Sequence, residues 1–442
     1  MMTDGSSRLD QRDLLHESGA EVPAPEVPHE LGATSDSASP RPSYPSGSIA
    51  AVLSGRNNAF GFLRLLLASL VLVTHMFLIG GYGVDPMWGW SKGQDSFGGM
   101  SVAGFFAISG YLITKSALRN DVVQFMWHRT LRIFPAFWLL MLVTAFAIAP
   151  ALWWHAHGGL GGYFARVPGG PFGFIKADWA LNVTQSGIHD LLTGTPYGQA
   201  TKTSVFNGSL WTLIYEWRCY LVVAGLTLFG VLKGARPMVA VIAVALWLLT
   251  ILQSIDPALP GRVAPWLADI YTVRFTMIFM VGAAFAAYAD RVPLNDRFGL
   301  LAGALYLGSI LTGGYLVIGY PAMAYLVLWV ASRLRGPLAR IGTINDYSYG
   351  VYIYGFVVQQ LLAGVGVHRW GKVPYLGLAF LLTLVCAMAS WHLVEKHALR
   401  LKSWGPGKGG KAFVGSILSL VRRDRAGARG ITHDPSVPDT DG

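Results

Sequence analysis

Charge is what this 442-residue chain has least of: Asp, Glu, Lys and Arg together make up 13% of it, against 53% hydrophobic residues. With a mean hydropathy of +0.44, that scarcity excludes a soluble enzyme and points to a multi-span membrane protein. Cysteine is just as scarce. The two present, Cys219 and Cys386, both fall inside expected spans, so no disulfide is expected and the redox compartment cannot be read from them. The spans and short connections hold no metal-ligand cluster, no phosphate-cradling glycine loop and no internal repeat, and no motif for nucleic acid occurs. The amino-terminal segment lacks the basic-then-apolar layout of a cleavable signal. It is rich in Pro and Ser, with eight acids against three Arg before residue 50, and residues 1–55 are expected to form a disordered cytoplasmic tail.

Apolar windows recur from residue 60 to the mid-390s. They predict an all-α fold, a polytopic membrane helix bundle of about ten spans at 60–80, 98–118, 132–152, 208–232, 237–253, 268–289, 298–318, 320–334, 346–366 and 373–395, most near the ~20 residues a bilayer core requires. Lys and Arg gather in alternate connections, among them Lys115, Arg119, Arg129, Arg132, Lys233, Arg236, Arg291, Arg333 and Arg340. By the positive-inside rule both termini are cytoplasmic, in a multi-pass protein of the cell inner (plasma) membrane. The formal charge of +10 then suits the anionic inner leaflet and an anionic cytosolic ligand. The domain expected over residues 56–402 is followed by a basic cytoplasmic tail, 403–442, in which KAFVGSILSLVRRDR fits a helix lying on the membrane surface.

Ionisable residues inside spans are costly and usually line a pathway. In FGFLRLLLASLVLVTHMFLIG, Arg64 and His75 are eleven residues apart, so on a helix they share one face, separated by about 16 Å along the axis. An interfacial anchor and a structurally paired imidazole would give the same pattern. In GFFAISGYLITK, Ser109 and Gly110 suit close helix packing. Arg129 and Arg132 fall on neighbouring positions of one turn, where two guanidiniums repel unless a carboxylate or phosphate sits between them. Ordinary membrane anchoring is the plain alternative. In NGSLWTLIYEWRCY, Glu216 and Arg218 point to different faces, so Glu216 must reach another span. The long connection 153–207 carries Trp153, Trp154, His155, His157, Tyr163, Asp178, Trp179, His189 and Tyr197, a composition suited to sugar binding and equally to a capping loop.

Taken in order, Arg64 with His75, the FFAISGYLI run, Arg129–Arg132 before Ile-Phe-Pro, NGSLWTLIYEW, DYSYGVYIYGFVVQQLL and SWHLVEKHALRLK resemble the integral-membrane acyltransferase family 3. The resemblance covers roughly residues 56–402. It implies O-acylation of a cell-surface carbohydrate such as an exopolysaccharide, with cytosolic acyl-CoA, expected to be acetyl-CoA, as donor substrate and no permanently bound cofactor. Arg64 and His75 correspond to the family's Arg/His pair, and Arg129 and Arg132 to its RxxR element. Many members carry a histidine after the aromatic run of the ninth span, where this chain has Tyr354-Gly355, which argues against a second catalytic histidine there. His75 and Glu216 are therefore the candidate catalytic residues, and Arg64, Arg129 and Arg132 the candidate donor-binding residues. Imidazole titrates near working pH and suits a base that takes the acceptor's hydroxyl proton, or a carrier of the acyl group. A transporter or flippase of a lipid-linked sugar is the alternative, weakened by the lack of paired Gly/Pro-broken segments in matching halves.

Overall fold

The computed structural model describes residues 44–55 and 58–403. Among these residues the chain forms helices and no strand, and ten of the helices are long: α1 (Phe60–Ile79), α2 (Phe97–Ala117), α3 (Val122–His157), α4 (Leu213–Leu228), α5 (Arg236–Ile255), α6 (Ile270–Ala287), α7 (Asp296–Thr312), α8 (Tyr315–Arg333), α9 (Ser348–Gly364) and α10 (Lys372–Ser403). Seven of them, α1, α2, α3, α5, α6, α8 and α10, are long and apolar enough to cross a membrane. Helices α4, α7 and α9 run for 16, 17 and 17 residues, below the roughly 20 of a full span. Each of the ten expected spans thus has its helix, and the two shortest expectations, 237–253 and 320–334, fall on α5 and α8.

The helices begin where side chains can satisfy the free amides of a first turn. Ser96 accepts from the Gly99 N–H at 3.0 Å, Asp121 from Gln124 at 3.0 Å, Asp269 from Tyr271 at 3.1 Å and Asn295 from Phe298 at 3.0 Å. Wide turns precede Pro150 in α3 and Pro321 in α8, where the proline's missing N–H interrupts the hydrogen-bond ladder. A third, Trp391–Glu395 in α10, contains no proline, and both of its end residues are buried.

Two contacts fix the middle of the bundle. Helices α2 and α6 touch backbone to backbone: a Cβ on Gly110 would run into the Phe279 carbonyl, and one on Gly282 into the Ala107 carbonyl. Gly110 therefore does the packing its sequence context suggests. Helix α9 joins α1 to the chain leading into α4, because Gln359 donates to the Leu72 carbonyl at 2.9 Å, Gln360 to that of Val205 at 2.9 Å, and Asn207 to that of Ile353 at 2.7 Å. Gly355 lies against Leu72 of α1, so this position has no room for a larger side chain unless Leu72 moves.

Order begins before residue 56. Within the expected amino-terminal tail, Ile49 and Ala50 donate to the carbonyls of Val292 and Ala289 at 2.9 and 2.7 Å, and Ile49 and Leu53 are buried. The rest of that tail and the expected surface helix of the carboxy-terminal tail lie outside the described residues.

Gly282→Val should lower stability by about 1–3 kcal/mol, the usual cost of overpacking. Gly225→Ala, inside α4 at a position with nothing within 4 Å, should raise it by about 0.5–1 kcal/mol. Thermal unfolding of the two variants in detergent, beside the parent protein, measures the difference.

Candidate active site

Arg64 projects from the first turns of α1, and its Nη2 lies 2.9 Å from Oδ2 of Asp346, in the turn leading into α9. The same oxygen takes Nη2 of Arg132, on α3, at 2.7 Å. The other carboxylate oxygen of Asp346 accepts from the Ser348 N–H and hydroxyl at 3.2 and 2.5 Å. Arg132 also approaches Glu395 of α10, Nη1 to Oε2 3.8 Å, and stands over the rings of Tyr349 and Trp391. Asp346 is held down to about 2: burial alone would raise it, and the two guanidiniums with the Ser348 bonds more than offset that. The arginine pair expected to share an anion does not share this one. Asp346 bridges Arg64 and Arg132, while Arg129 points elsewhere.

Arg129 forms no ion pair among the described residues. Its Nε is buried without a hydrogen-bond partner, and its guanidinium faces the rings of Phe125 and Tyr220. Glu216 lies in the first turn of α4 and does reach another helix, accepting from the Ser109 hydroxyl of α2 at 3.3 Å and from the Tyr220 hydroxyl. Ser109, expected to serve packing, instead supplies this donor. Arg218 turns away from Glu216 to Asp269 at 3.9 Å.

These groups line a string of chambers through the bundle. A chamber of about 310 Å³ is walled by Arg64, Arg129, Arg132, Glu216, Asp346 and Lys402, among others. A neck of about 70 Å³ follows, and shares Arg64, Ser109, Glu216 and Tyr349 with it. Beyond the neck, Val102, Thr212 and Tyr352 are common to a third chamber of about 730 Å³, which contains His75. Glu216 therefore lines the first two spaces and His75 the third.

His75 is half-buried. Its ring meets Phe356 edge-on at 4.9 Å, and its Nδ1 is buried with no hydrogen-bond partner. No carboxylate among the described residues orients this imidazole. Its neighbour Thr74 is tied down firmly: the Thr74 hydroxyl donates to Asp85, which also accepts from Met87 N–H at 2.8 Å and Phe97 N–H at 2.9 Å. The start of α2 is thereby latched beside the histidine.

The His75 chamber holds polar groups that the sequence reading passed over. Asp95 and Gln94 precede α2, Arg274 lies one turn into α6, and Tyr315 and Tyr320 come from the start of α8. Burial pushes Asp95 up to about 7, with the Ser96 N–H and Arg274 drawing it back. Arg274 carried a legible signal, an arginine within an expected span. Asp95 carried none, because a lone acid before a span reads as a helix cap. The long loop, in contrast, contributes nothing to this chamber. Several of its residues are used within the fold: Tyr163 and Asp178 are fully buried, Trp153 stacks on His157 at 3.9 Å, and Trp179 stacks on Trp138 of α3 at 5.0 Å.

Residues 57–392 match a family model described as an acyltransferase domain. The chain belongs to this acyltransferase family. All five residues singled out from sequence fall inside the matched span. The chain is 28% identical over 370 residues, 79% of it and 98% of the relative, to a protein named O-acetyl transferase from Shigella phage Sf6. It is 28% identical over 397 residues, 79% of it and 95% of the relative, to Nodulation protein 10 of Rhizobium leguminosarum bv. viciae. No solved structure matches. The protein is a multi-pass membrane acyltransferase.

Replacing Asp346 by Asn should cost about 3–5 kcal/mol, the range for removing one partner of a buried pair. The Asp346 carboxyl lies below its unfolded value, so its contribution is complete above about pH 4. It is lost as pH falls toward about 2, so the gap between Asp346→Asn and the parent protein should stay constant from about pH 5 to 8. Thermal unfolding across that range reads the gap directly.

Proposed function

We propose that this acyltransferase moves an acetyl group from cytosolic acetyl-CoA to a hydroxyl of an extracytoplasmic carbohydrate, a surface glycan or exopolysaccharide. The observation that carries the reading is the run of three chambers linking a cation-rich space around Arg64 to the larger space around His75. The printed name of the phage relative supports acetyl as the group, and the family favours acyl transfer over the transport of a lipid-linked sugar. The positive-inside bias supports an inner location for the Arg64 end, with both termini cytoplasmic.

In this reading the donor enters at the Arg64 end. Arg129, which has no carboxylate partner, is the guanidinium free to meet a phosphate. Arg132 is already committed to Asp346 and Glu395, and Arg64 to Asp346, so both hold the chamber's shape and field. The pantetheine arm passes the neck beside Tyr349 and Tyr352, and the run of about 16 Å from Arg64 to His75 suits its length. The acceptor occupies the far chamber, whose exposed rings Trp88, Trp211 and Tyr271 offer flat faces to a sugar's C–H surfaces.

His75 is the base. As the acceptor oxygen attacks the thioester carbonyl, the imidazole takes the hydroxyl proton; the C–S bond breaks, and the proton passes to the departing thiolate, giving ester and free thiol. Taking that proton through Nε2 requires the resting proton to sit on Nδ1, the nitrogen found buried and unpartnered. Glu216 lies between the arginines and the neck, where, held by Ser109 and Tyr220, it orients the donor.

His75→Ala should abolish acetyl transfer while membrane insertion and yield stay at parent levels, read with radiolabelled acetyl-CoA and a glycan panel. Arg129→Ala should weaken acetyl-CoA binding by about 1–3 kcal/mol; Arg132→Ala should lose stability first, because it leaves Glu395 and Asp346 undercompensated. Calorimetry and unfolding separate the two. The topology is tested in sealed vesicles with acetyl-CoA confined to the cytosolic side and an impermeant glycan offered to each side in turn. Product is expected only with glycan on the opposite side, and product only on the donor's own side rejects the proposal.

A further inference from the structure

Arg274 lines the chamber that contains His75. Its Nε is buried with no hydrogen-bond partner, and among the described residues it forms no ion pair. Arg64, Arg132 and Arg218 each reach a carboxylate. The acid that shares this chamber, Asp95, is committed elsewhere: its Oδ1 accepts its neighbour's Ser96 N–H at 2.8 Å, and the Tyr320 hydroxyl bonds to it. Burial also pushes the Asp95 carboxyl up from its ordinary range, and that carboxyl makes no ion pair with Arg274 among the described residues. The chamber therefore keeps a guanidinium that its own walls do not neutralise.

A cation inside a helix bundle without its anion is costly, and a guanidinium fork matches a carboxylate's two oxygens. Building on the carbohydrate acceptor proposed above, we infer that the acceptor is an acidic sugar, a uronic-acid unit whose carboxylate pairs with Arg274 while a hydroxyl of the same chain is presented to His75. A singly charged carboxylate suits the place better than a doubly charged phosphate, because Asp95 stands beside it and repels the second charge. The surrounding rings accept the sugar's C–H faces whatever its charge, so the selection falls on Arg274.

The test uses the full-length protein in detergent and a matched pair of probes, a glucuronosyl-glucose disaccharide and its carboxyl-reduced counterpart, with glucose 1-phosphate as a third. Binding is read by calorimetry and acetyl transfer by label from acetyl-CoA. The acidic disaccharide should bind about tenfold more tightly than the reduced one, as expected of one charge-assisted contact. Arg274→Gln should bring the pair to parity, and Arg274→Lys should restore part of the preference. Unfolding temperature and acetyl-CoA affinity check that both variants are folded. Equal behaviour of the disaccharides toward the parent protein, whether both bind or neither does, overturns the inference, as does tighter binding of glucose 1-phosphate. A binding preference without transfer to any glycan would keep the inference and reject the proposed reaction; transfer without preference would do the reverse.

Discussion

One carboxylate organises the Arg64 end of this protein. Asp346 takes Arg64 and Arg132 on a single oxygen and uses the other to start α9 through Ser348. Three helices far apart in sequence, α1, α3 and α9, are thereby fixed around one charge, and Glu395 draws in α10 through Arg132. In a low-dielectric interior such a junction stands only if every charge is answered, and here two cations meet two anions. The remaining arginine, Arg129, stays outside this balance and faces the open chamber.

The charge pattern changes along the string of chambers. Near Arg64 the space is smaller and rich in cations, two of them answered by Asp346 and Glu395; near His75 it is larger and more aromatic. That gradient fits two substrates of different kinds approaching one reacting centre. In the reaction proposed above the first is a compact anionic handle on a long thin arm, and the second a broad polyol. The imidazole sits on the side of the neck where the broader molecule fits, held by the Phe356 edge and the latched Thr74 turn rather than by an acid.

Much of this could be read from sequence because a bilayer leaves few options for apolar runs: ten segments, ten helices, including the two shortest. The span count was less legible, since α4, α7 and α9 are short; α9 is buried among its neighbours, while α4 leaves some and α7 most of its apolar side chains exposed. Arg64 and His75 were visible as ionisable groups on one helical face. Asp346 was not, because it precedes its helix by two residues and looks like a cap; its role depends on α1 and α3 arriving at the same point. The RxxR pair was visible as a pair, but neighbouring side chains on one turn diverge, and only the tertiary fold decides that Arg132 turns to Asp346 and Arg129 to Tyr220. The aromatic loop suggested more than it delivers: its rings divide between a small core around Tyr163 and solvent, where Trp154 and Trp179 are more than half exposed, while the walls of the His75 chamber come from residues scattered over seven segments.

The neck between the two large chambers, about 70 Å³, has a consequence for the cell as a whole. A protein with an aqueous passage from one face to the other would short-circuit the electrochemical gradient across its membrane. Tyr349, Tyr352, Phe105 and Phe106 narrow this passage to room for a few water molecules. In the transmembrane reaction proposed above, an acyl thioester tip threads this constriction, whereas a hydrated ion would have to shed its shell there at a large penalty, so the residues that guide the chemistry would also insulate the membrane.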